Sequence, residues 1–363
     1  MRCLVIGNPE NRRVAFFQRA LHERGLPAAQ VCSYLDLLRG RVGPDLPPAD
    51  WVRIESPGEC FEVERALIGW GLEEADEPAT ADLESEPGRH RHTRACHLGF
   101  ARLLARLEAC NPEARWMNPP ASILAMFDKH AAHQRMRTQS TPRPEYHGLV
   151  TGIDRLRAIS AQRGLSRLFL KPRFGSSAAG VLAYRRRGSE ERITTTLELE
   201  RPSGKLYNHL NPRTYHRDAD IRHILETLLP DELVVESWLP KANWRGYSWD
   251  LRVLVIAGEA RHVVPRMSRS PLTNLHLGNR RGDLDTLSAH IGASRVAEMS
   301  AAAERAARAF PDCLYVAVDV AIRCDLKRVA VLEVNAFGDL LPGLLHRGRD
   351  SYAAEVAALL EVN

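Results

Sequence analysis

The chain has 363 residues, 44% of them hydrophobic and 26% charged, with a formal net charge of +5. That apolar content can furnish two or three domains. So small a positive excess, with aromatics at 6%, suits small anionic ligands and gives no ground for a nucleic-acid surface. Seven scattered cysteines without a C-x-x-C pair argue against a disulfide framework or a four-cysteine zinc site and fit a reducing cytoplasm. No apolar run approaches the ~20 residues of a spanning helix, so no membrane association is expected. The N-terminal MRCLVIGNPENRR lacks the long apolar core of a secretion signal, and a soluble cytoplasmic protein is expected.

Arg2 to Ile6 reads as a short strand broken by Gly7-Asn8-Pro9, and Val14 to Arg24 carries helical spacing until Gly25-Leu26-Pro27. Gln30 to Tyr34 and Trp51 to Ile54 read as strands, Phe61 to Trp70 and His97 to Cys110 as helices, so residues 1–118 form an N-terminal α/β domain. Between those helices, Glu73 to Arg94 is first acidic, then basic, and reads as an exposed, mobile loop. After Asn118-Pro119-Pro120, the helix Ser122 to Thr138 opens a second region, 119–240. It continues with a helix at Ile153 to Arg163, and with strands Leu168 to Lys171 and Gly180 to Tyr184 on either side of a glycine turn. Ile193 to Leu199 and Lys205 to Leu210 read as a hairpin around Pro202-Ser203-Gly204, before helix Asp220 to Leu229 and strand Leu233 to Ser237. Region 241–363 holds strands Trp249 to Ile256 and Ala260 to Val264, an Ala-rich helix Arg295 to Phe310, two more strands, and a closing helix Ser351 to Leu360.

Those two late strands carry the chemistry. Tyr315 to Ile322 (YVAVDVAI) is apolar apart from Asp319, and Val329 to Asn335 (VAVLEVN) ends with Glu333 and Asn335 on one face. An isolated charge in a buried strand costs several kcal/mol unless it is paired or bound to a cation. Three hard oxygen donors suit Mg²⁺ beside a nucleotide. Upstream, Leu170 to Val181 (LKPRFGSSAAGV) is a strand ending in Lys171, a turn of small residues and a second strand. Small residues let backbone N–H groups approach phosphate while the ammonium offsets its charge. A Walker loop is absent, as is any G-x-G-x-x-G after Ile6, which leaves a Rossmann oxidoreductase without support.

The order of motifs resembles the ATP-grasp superfamily across residues 115–340. The motifs are Lys129 in FDKH, Lys171 in LKPRFGSSAAGV, Glu236 in VVESWLP, Asp250 and Arg252 in WDLRVLVIAGE, Arg266 in VVPRM, Asn274 in TNLHLG, then Asp319, Glu333 and Asn335. DLRVLVIAGE followed by TNLHLG is most similar to the ribosomal-protein glutamate ligases and their glutathione-synthetase-like relatives. The resemblance implies an α/β (α+β) fold, with the N-terminal α/β domain preceding a two-lobed ATP-grasp unit. It implies a ligase that joins a carboxylate to an amine, on small-molecule or peptide substrates, through an acyl phosphate with release of ADP. Lys129 and Lys171 would contact ATP phosphates, under a lid at Gly175, Ser176, Ser177 and Gly180. Glu236 would begin a hinge whose backbone at Ser237, Trp238 and Leu239 bonds adenine, with Asp250 near the ribose. Arg266 would hold the transferred phosphoryl group, Asn274 would support phosphate or metal, and Asp319, Glu333 and Asn335 would ligate two Mg²⁺ or, in their place, Mn²⁺. A phosphotransferase and a nucleotide-binding regulatory module without turnover are the alternatives.

Departures from the family fall near the acceptor side. Leu272 stands where the glutamate ligases have an arginine, with Arg269 close enough to compensate, and AFGDLLPGLLHRG replaces a short turn after the metal motif. Arg280 and Arg281 could grip a substrate carboxylate through a bidentate fork or simply be solvated. His90, His92, Cys96 and His97 are close enough in sequence for a transition metal, but their polar context favours a solvated loop. Trp238, Trp244, Tyr247 and Trp249 surround the hinge and read as packing residues.

Overall fold

The computed structural model describes all residues except 79–82, 163, 164, 176, 177, 339 and 363. Three sheets follow one another along the chain. The first is parallel, in the order β2-β1-β3, from β1 (Cys3–Gly7), α1 (Arg12–Glu23), β2 (Gln30–Ser33), α2 (Tyr34–Leu38) and β3 (Trp51–Ile54). Tyr34 leaves the expected strand because Ser33 caps a helix there, its hydroxyl accepting the Asp36 N–H. Helices α3 (Phe61–Glu74) and α4 (Thr93–Cys110) then cross almost backbone to backbone. A Cβ at Gly71 would lie 1.8 Å from the Ala95 carbonyl oxygen, and one at Gly99 1.9 Å from that of Leu67.

The helix expected over 122–138 is two, α5 (Pro120–Phe127) and α6 (Lys129–Thr138), because Asp128 is extended and caps α6 by accepting the His130 and Ala131 N–H groups. There follow β4 (Tyr146–Val150), α7 (Ile153–Gln162), β5 (Arg167–Pro172), β6 (Leu182–Arg187), β7 (Glu190–Glu200), β8 (Lys205–Tyr215), α8 (Asp218–Leu228) and β9 (Leu233–Ser237). Their antiparallel sheet runs β4-β9-β5-β6-β7-β8, with an apolar core of its own under α7 and α8. The hairpin is longer than the alternation suggested, 11 residues in each strand.

The third sheet, β13-β12-β11-β14-β15, is built from β10 (Asn243–Trp244), β11 (Tyr247–Ile256), β12 (Glu259–Ser268), β13 (Arg280–Arg281), β14 (Tyr315–Ile322) and β15 (Val329–Asn335), with β10 pairing β11. Helices α9 (Leu284–Ile291) and α10 (Ala293–Ala307) pack on it, and α11 (Ser351–Val362) packs back onto α1. First and third sheets share continuous cores: Leu4, Ile54 and Phe100 lie in one cluster with Val253, Val318 and Ala303. Arg53 of β3, wholly buried, reaches Glu55 and, on α11, Glu355, each at 2.6 Å, among the rings of Phe17, Tyr315 and Tyr352.

The segment expected as an exposed loop is docked over 86–92. The Asn208 N–H donates to the Gly88 carbonyl at 2.6 Å, the His90 N–H to that of Leu206 at 2.9 Å, and Lys205 pairs Glu86 at 2.6 Å. The free edge of β8 supplies these backbone partners, which polarity of sequence does not reveal. The segment's residues 79–82 lie outside the described residues. Gly71→Ala should force α3 and α4 apart and cost about 1–3 kcal/mol in urea denaturation, whereas Gly69→Ala, with open space at its Cβ, should not destabilise.

Candidate active site

Strand pairing builds the acidic wall. Asp319 of β14 stands opposite Arg252 of β11 on one side and Glu333 of β15 on the other, and Asp250 of β11 opposite Arg266 of β12. Arg266 bridges the two acids, its Nε donating to Asp250 Oδ1 at 2.7 Å and its Nη2 lying 3.0 Å from Asp319 Oδ2. Arg252 Nε is 2.6 Å from Asp319 Oδ1, but out of line for a hydrogen bond, so that buried oxygen accepts none. Lys241 donates to Asp250 Oδ2 at 2.8 Å and to the Thr273 hydroxyl at 2.6 Å. A side chain at 338 would strike the Arg252 guanidinium, so Gly338 fits there for want of a Cβ.

The facing wall comes from β5, β9 and α6. Lys171 at the end of β5 pairs Glu236 Oε2 at 2.9 Å and donates to the Leu332 carbonyl at 2.9 Å. A bulge between the Asp319–Glu333 and Val320–Val331 pairs leaves Leu332 out of register with β14. His133 Nε2 meets Glu236 Oε1 at 2.5 Å, its ring stacked on Tyr146 at 4.7 Å. Lys129 at the start of α6 lies 3.2 Å from Glu333 and donates to the Gly175 carbonyl. Arg173 fixes α6 to the strand end by gripping Asp128 with two nitrogens, at 2.9 and 2.6 Å.

These groups enclose one pocket, also lined by Phe169, Ala178, Ala179, Val181, Ser237, Leu239, Leu272 and Asn274. Burial pushes Glu236 up, but Lys171 and His133 outweigh it and bring its pKa down to about 2. Burial likewise opposes charge on Asp250, yet Arg266 and Lys241 hold it well below the carboxylate range. At Asp319 burial wins: its pKa is raised despite Arg252 and Arg266, with Asp250 and Glu333 adding to the rise. Glu333 is lowered, burial being outweighed by Lys129 and Lys171. Lys171 is raised because Glu236 and Glu333 overcome its burial, whereas burial lowers Lys241 in spite of Asp250.

Among known proteins, no family model and no curated sequence matches the chain. Solved structures do. The D-cycloserine synthetase DcsG matches at TM-score 0.56 and 16% identity, over 100% of this chain and 99% of that one. The macrocyclase MdnC of Microcystis aeruginosa MRC, bound with precursor peptide MdnA, matches at 0.55 and 12% identity over 100% of both chains. The ATP-grasp ligase PsnB, complexed with a phosphomimetic variant of its minimal precursor, Mg and ADP, matches at 0.54 and 14% identity, over 99% of this chain and 97% of that one.

The chain has the ATP-grasp fold.

Most of the residues singled out by sequence meet in the ATP-grasp cleft between the second and third sheets: Lys129, Lys171, Gly175, Glu236, Ser237, Leu239, Asp250, Arg266, Asn274, Asp319 and Glu333 all line the pocket. Asn335 follows Glu333 on β15, opposite Ala317. Ser176 and Ser177 lie outside the described residues. Gly180, at φ +70°, does not line the pocket; its Cα faces Pro172 and His90, where a Cβ would come within 2.7 and 2.9 Å. At the end of β9, the Ser237 and Trp238 N–H groups are taken by the Glu145 and Arg167 carbonyls, and among the described residues no backbone carbonyl takes that of Leu239. The Trp238 ring turns to Phe169 and Arg185, and Trp249 is core. Arg269 and Arg280 sit exposed over Tyr247, at 5.3 and 5.9 Å, and Arg281 donates to the Pro342 carbonyl; none of the three lines the pocket.

Four participants had no role assigned from sequence: Arg252, Lys241, Thr273 and His133. Arg252 was legible as the second residue after Asp250 on one strand face, and His133 as the fourth after Lys129 on one helix face. Lys241 and Thr273 enter through loops and carry no periodic signal. His90 is buried, not solvated, and His97 is half-buried, stacked on Phe174 at 4.2 Å. Among the described residues no group of three His, Cys, Asp or Glu side chains could hold a metal.

Asp319, Glu333 and Asn335 do fit a hard divalent cation whose remaining ligands come from phosphate and water. One buried Asp319 oxygen accepts no hydrogen bond, and the buried Asn335 Nδ2 has no partner, where a half-turn of the amide would present its oxygen instead. Arg252, Arg266 and Lys129 supply the positive charge beside these acids. Glu236→Gln should test the pairing through pH. With its pKa lowered from 4.5 to about 2, Glu236 stabilises the fold fully above pH 4.5 and loses that contribution as pH falls toward 2. The urea midpoint of the variant should fall below wild type at pH 7, with the gap shrinking at pH 3.

Proposed function

We propose that the protein is an ATP-dependent ligase that activates a carboxylate as an acyl phosphate and passes the acyl group to an amine, releasing ADP and phosphate. The observation that carries this reading is the chain of alternating charges along the pocket, in which Lys129, Lys171 and Arg266 are each held by an acid of the same cleft. Cations so placed exchange an acid for phosphate oxygens at little cost, because a charge-assisted partner replaces another.

The residues divide the work by position. The Leu239 N–H and the apolar flank of Phe169 and Leu332 receive an adenine, while Lys171 and Lys129 hold the phosphates below Gly175. Mg²⁺, held by Asp319, Glu333 and Asn335, would offset the charge of the β- and γ-phosphates. Arg266, fixed at both ends by Asp250 and Asp319, presents its guanidinium to the phosphoryl group and the carboxylate that receives it. The amine then attacks the acyl carbon, phosphate leaves, and the alanine-lined turn keeps water from the mixed anhydride. Phosphoryl transfer of this kind needs placement and charge neutralisation and no protein nucleophile. The carboxylate and amine are small molecules or peptide groups; Arg269, Arg280 and Arg281 lie outside the pocket lining and would meet only a substrate that carries an anionic group beyond it.

The test is Mg-ATP turnover with pooled carboxylates and hydroxylamine, which traps an acyl phosphate as hydroxamate. Wild type should form ADP and hydroxamate in equal amounts, and Arg266→Ala should lose at least about 100-fold in rate. ADP formed with phosphate retained on an acceptor would replace the ligase by a phosphotransferase. Nucleotide binding without turnover on any amine or peptide pool would replace it by a nucleotide sensor.

A further inference from the structure

A second cleft lies on the far side of the glycine turn, between the start of α4 and the hairpin end of β8, with a volume of about 400 Å³. Gly175, Ala178, Ala179 and Val181 line the nucleotide pocket, whereas Gly180 packs on His90, which lines the second cleft. Four cations converge on it: Arg89, Arg91, Arg94 and Lys205. Arg89 and Lys205 share a single carboxylate, Glu86, at 2.8 and 2.6 Å. Arg94 reaches Glu77 at 3.3 Å. Arg91 donates to the Glu84 carbonyl and has no acid within ion-pair distance among the described residues. Asp231 at the cleft floor is engaged in capping α4, accepting from the Thr93 and Arg94 N–H groups and the Thr93 hydroxyl. His90 is only 6% exposed, and its Nε2 has no hydrogen-bond partner. Burial lowers its pKa, and its Cε1–Nε2 edge is packed against Gly180, so the ring forms part of the wall of the cleft.

Arg91 is thus a guanidinium at the cleft with no acid at contact distance among the described residues, and Arg89 and Lys205 have one carboxylate between them, an arrangement that a bound anion would complete. We propose that this cleft binds a multiply charged oxyanion, a polycarboxylate or a phosphate compound, held by Arg91, Arg89 and Lys205. Guanidinium forks match both groups, so the shared chemistry is the planar or tetrahedral oxyanion. The site is independent of the reading of the nucleotide pocket, since none of its residues belongs to that pocket.

Isothermal titration of the full chain with citrate, and separately with inorganic pyrophosphate, tests the assignment and separates the two sources. One of the two should bind saturably at one site. Arg91→Glu should weaken it at least about tenfold. Thr227→Tyr, at an exposed position that lines the cleft, should abolish it by filling the space without touching a charge. Circular dichroism identifies a variant that has failed to fold, and the Thr227 variant keeps the test open if the Arg91 variant does. No saturable binding of either anion to wild type overturns the proposal, as does binding that survives both substitutions unchanged.

Discussion

Everything in the cleft depends on one constraint: charges removed from water must find opposite charges at contact distance. Lys129, Lys171, Lys241, Arg252 and Arg266 face Glu236, Asp250, Asp319 and Glu333, and each acid touches at least one of the cations. The network joins strands of two sheets with a helix start, so it sets the relative position of the lobes as well as the chemistry. Such pairs add little net stability against their desolvation, yet removing one partner is costly. A network of this kind is therefore better understood as an arrangement kept for binding than as a source of stability. Phosphates and divalent cations together carry both signs of charge, and would exchange its internal pairs for new ones.

The same constraint appears at a second place with no link to the cleft. Arg53 joins β3 of the first sheet to α11 at the end of the chain through Glu55 and Glu355. Together with the shared apolar cores, it makes the first and third sheets one body, while the central sheet keeps a core of its own.

Legibility in sequence followed periodicity. YVAVDVAI and VAVLEVN announced two apolar strands each carrying an acid, and the structure sets Asp319 opposite Glu333. The glycine turn after Lys171 gave the other wall. What sequence hid was partnership. Nothing in the spacing of Lys241 and Asp250, or of His133 and Glu236, states that they touch, because loops and helix packing bring them together. Local polarity also misled. Residues 86–92 read as a solvated loop, yet they complete the edge of β8 and bury His90, since a strand edge accepts backbone partners whatever their side chains. The break at Asp128 went unseen because the apolar spacing runs through it, although an aspartate before a helical run is a capping signal.

The central claim is that the acids of β14 and β15 and the lysines facing them form one site for nucleotide and divalent cation together. The direct measurement is the melting temperature in four conditions: buffer, Mg²⁺ alone, a non-hydrolysable ATP analogue in chelator, and both ligands. Joint binding predicts that the two together raise the midpoint by more than the sum of their separate effects, by the reciprocity of linked ligands. A shift from the nucleotide in chelator equal to that with Mg²⁺ would contradict the assignment of Asp319, Glu333 and Asn335, and no shift in any condition would contradict the nucleotide site itself.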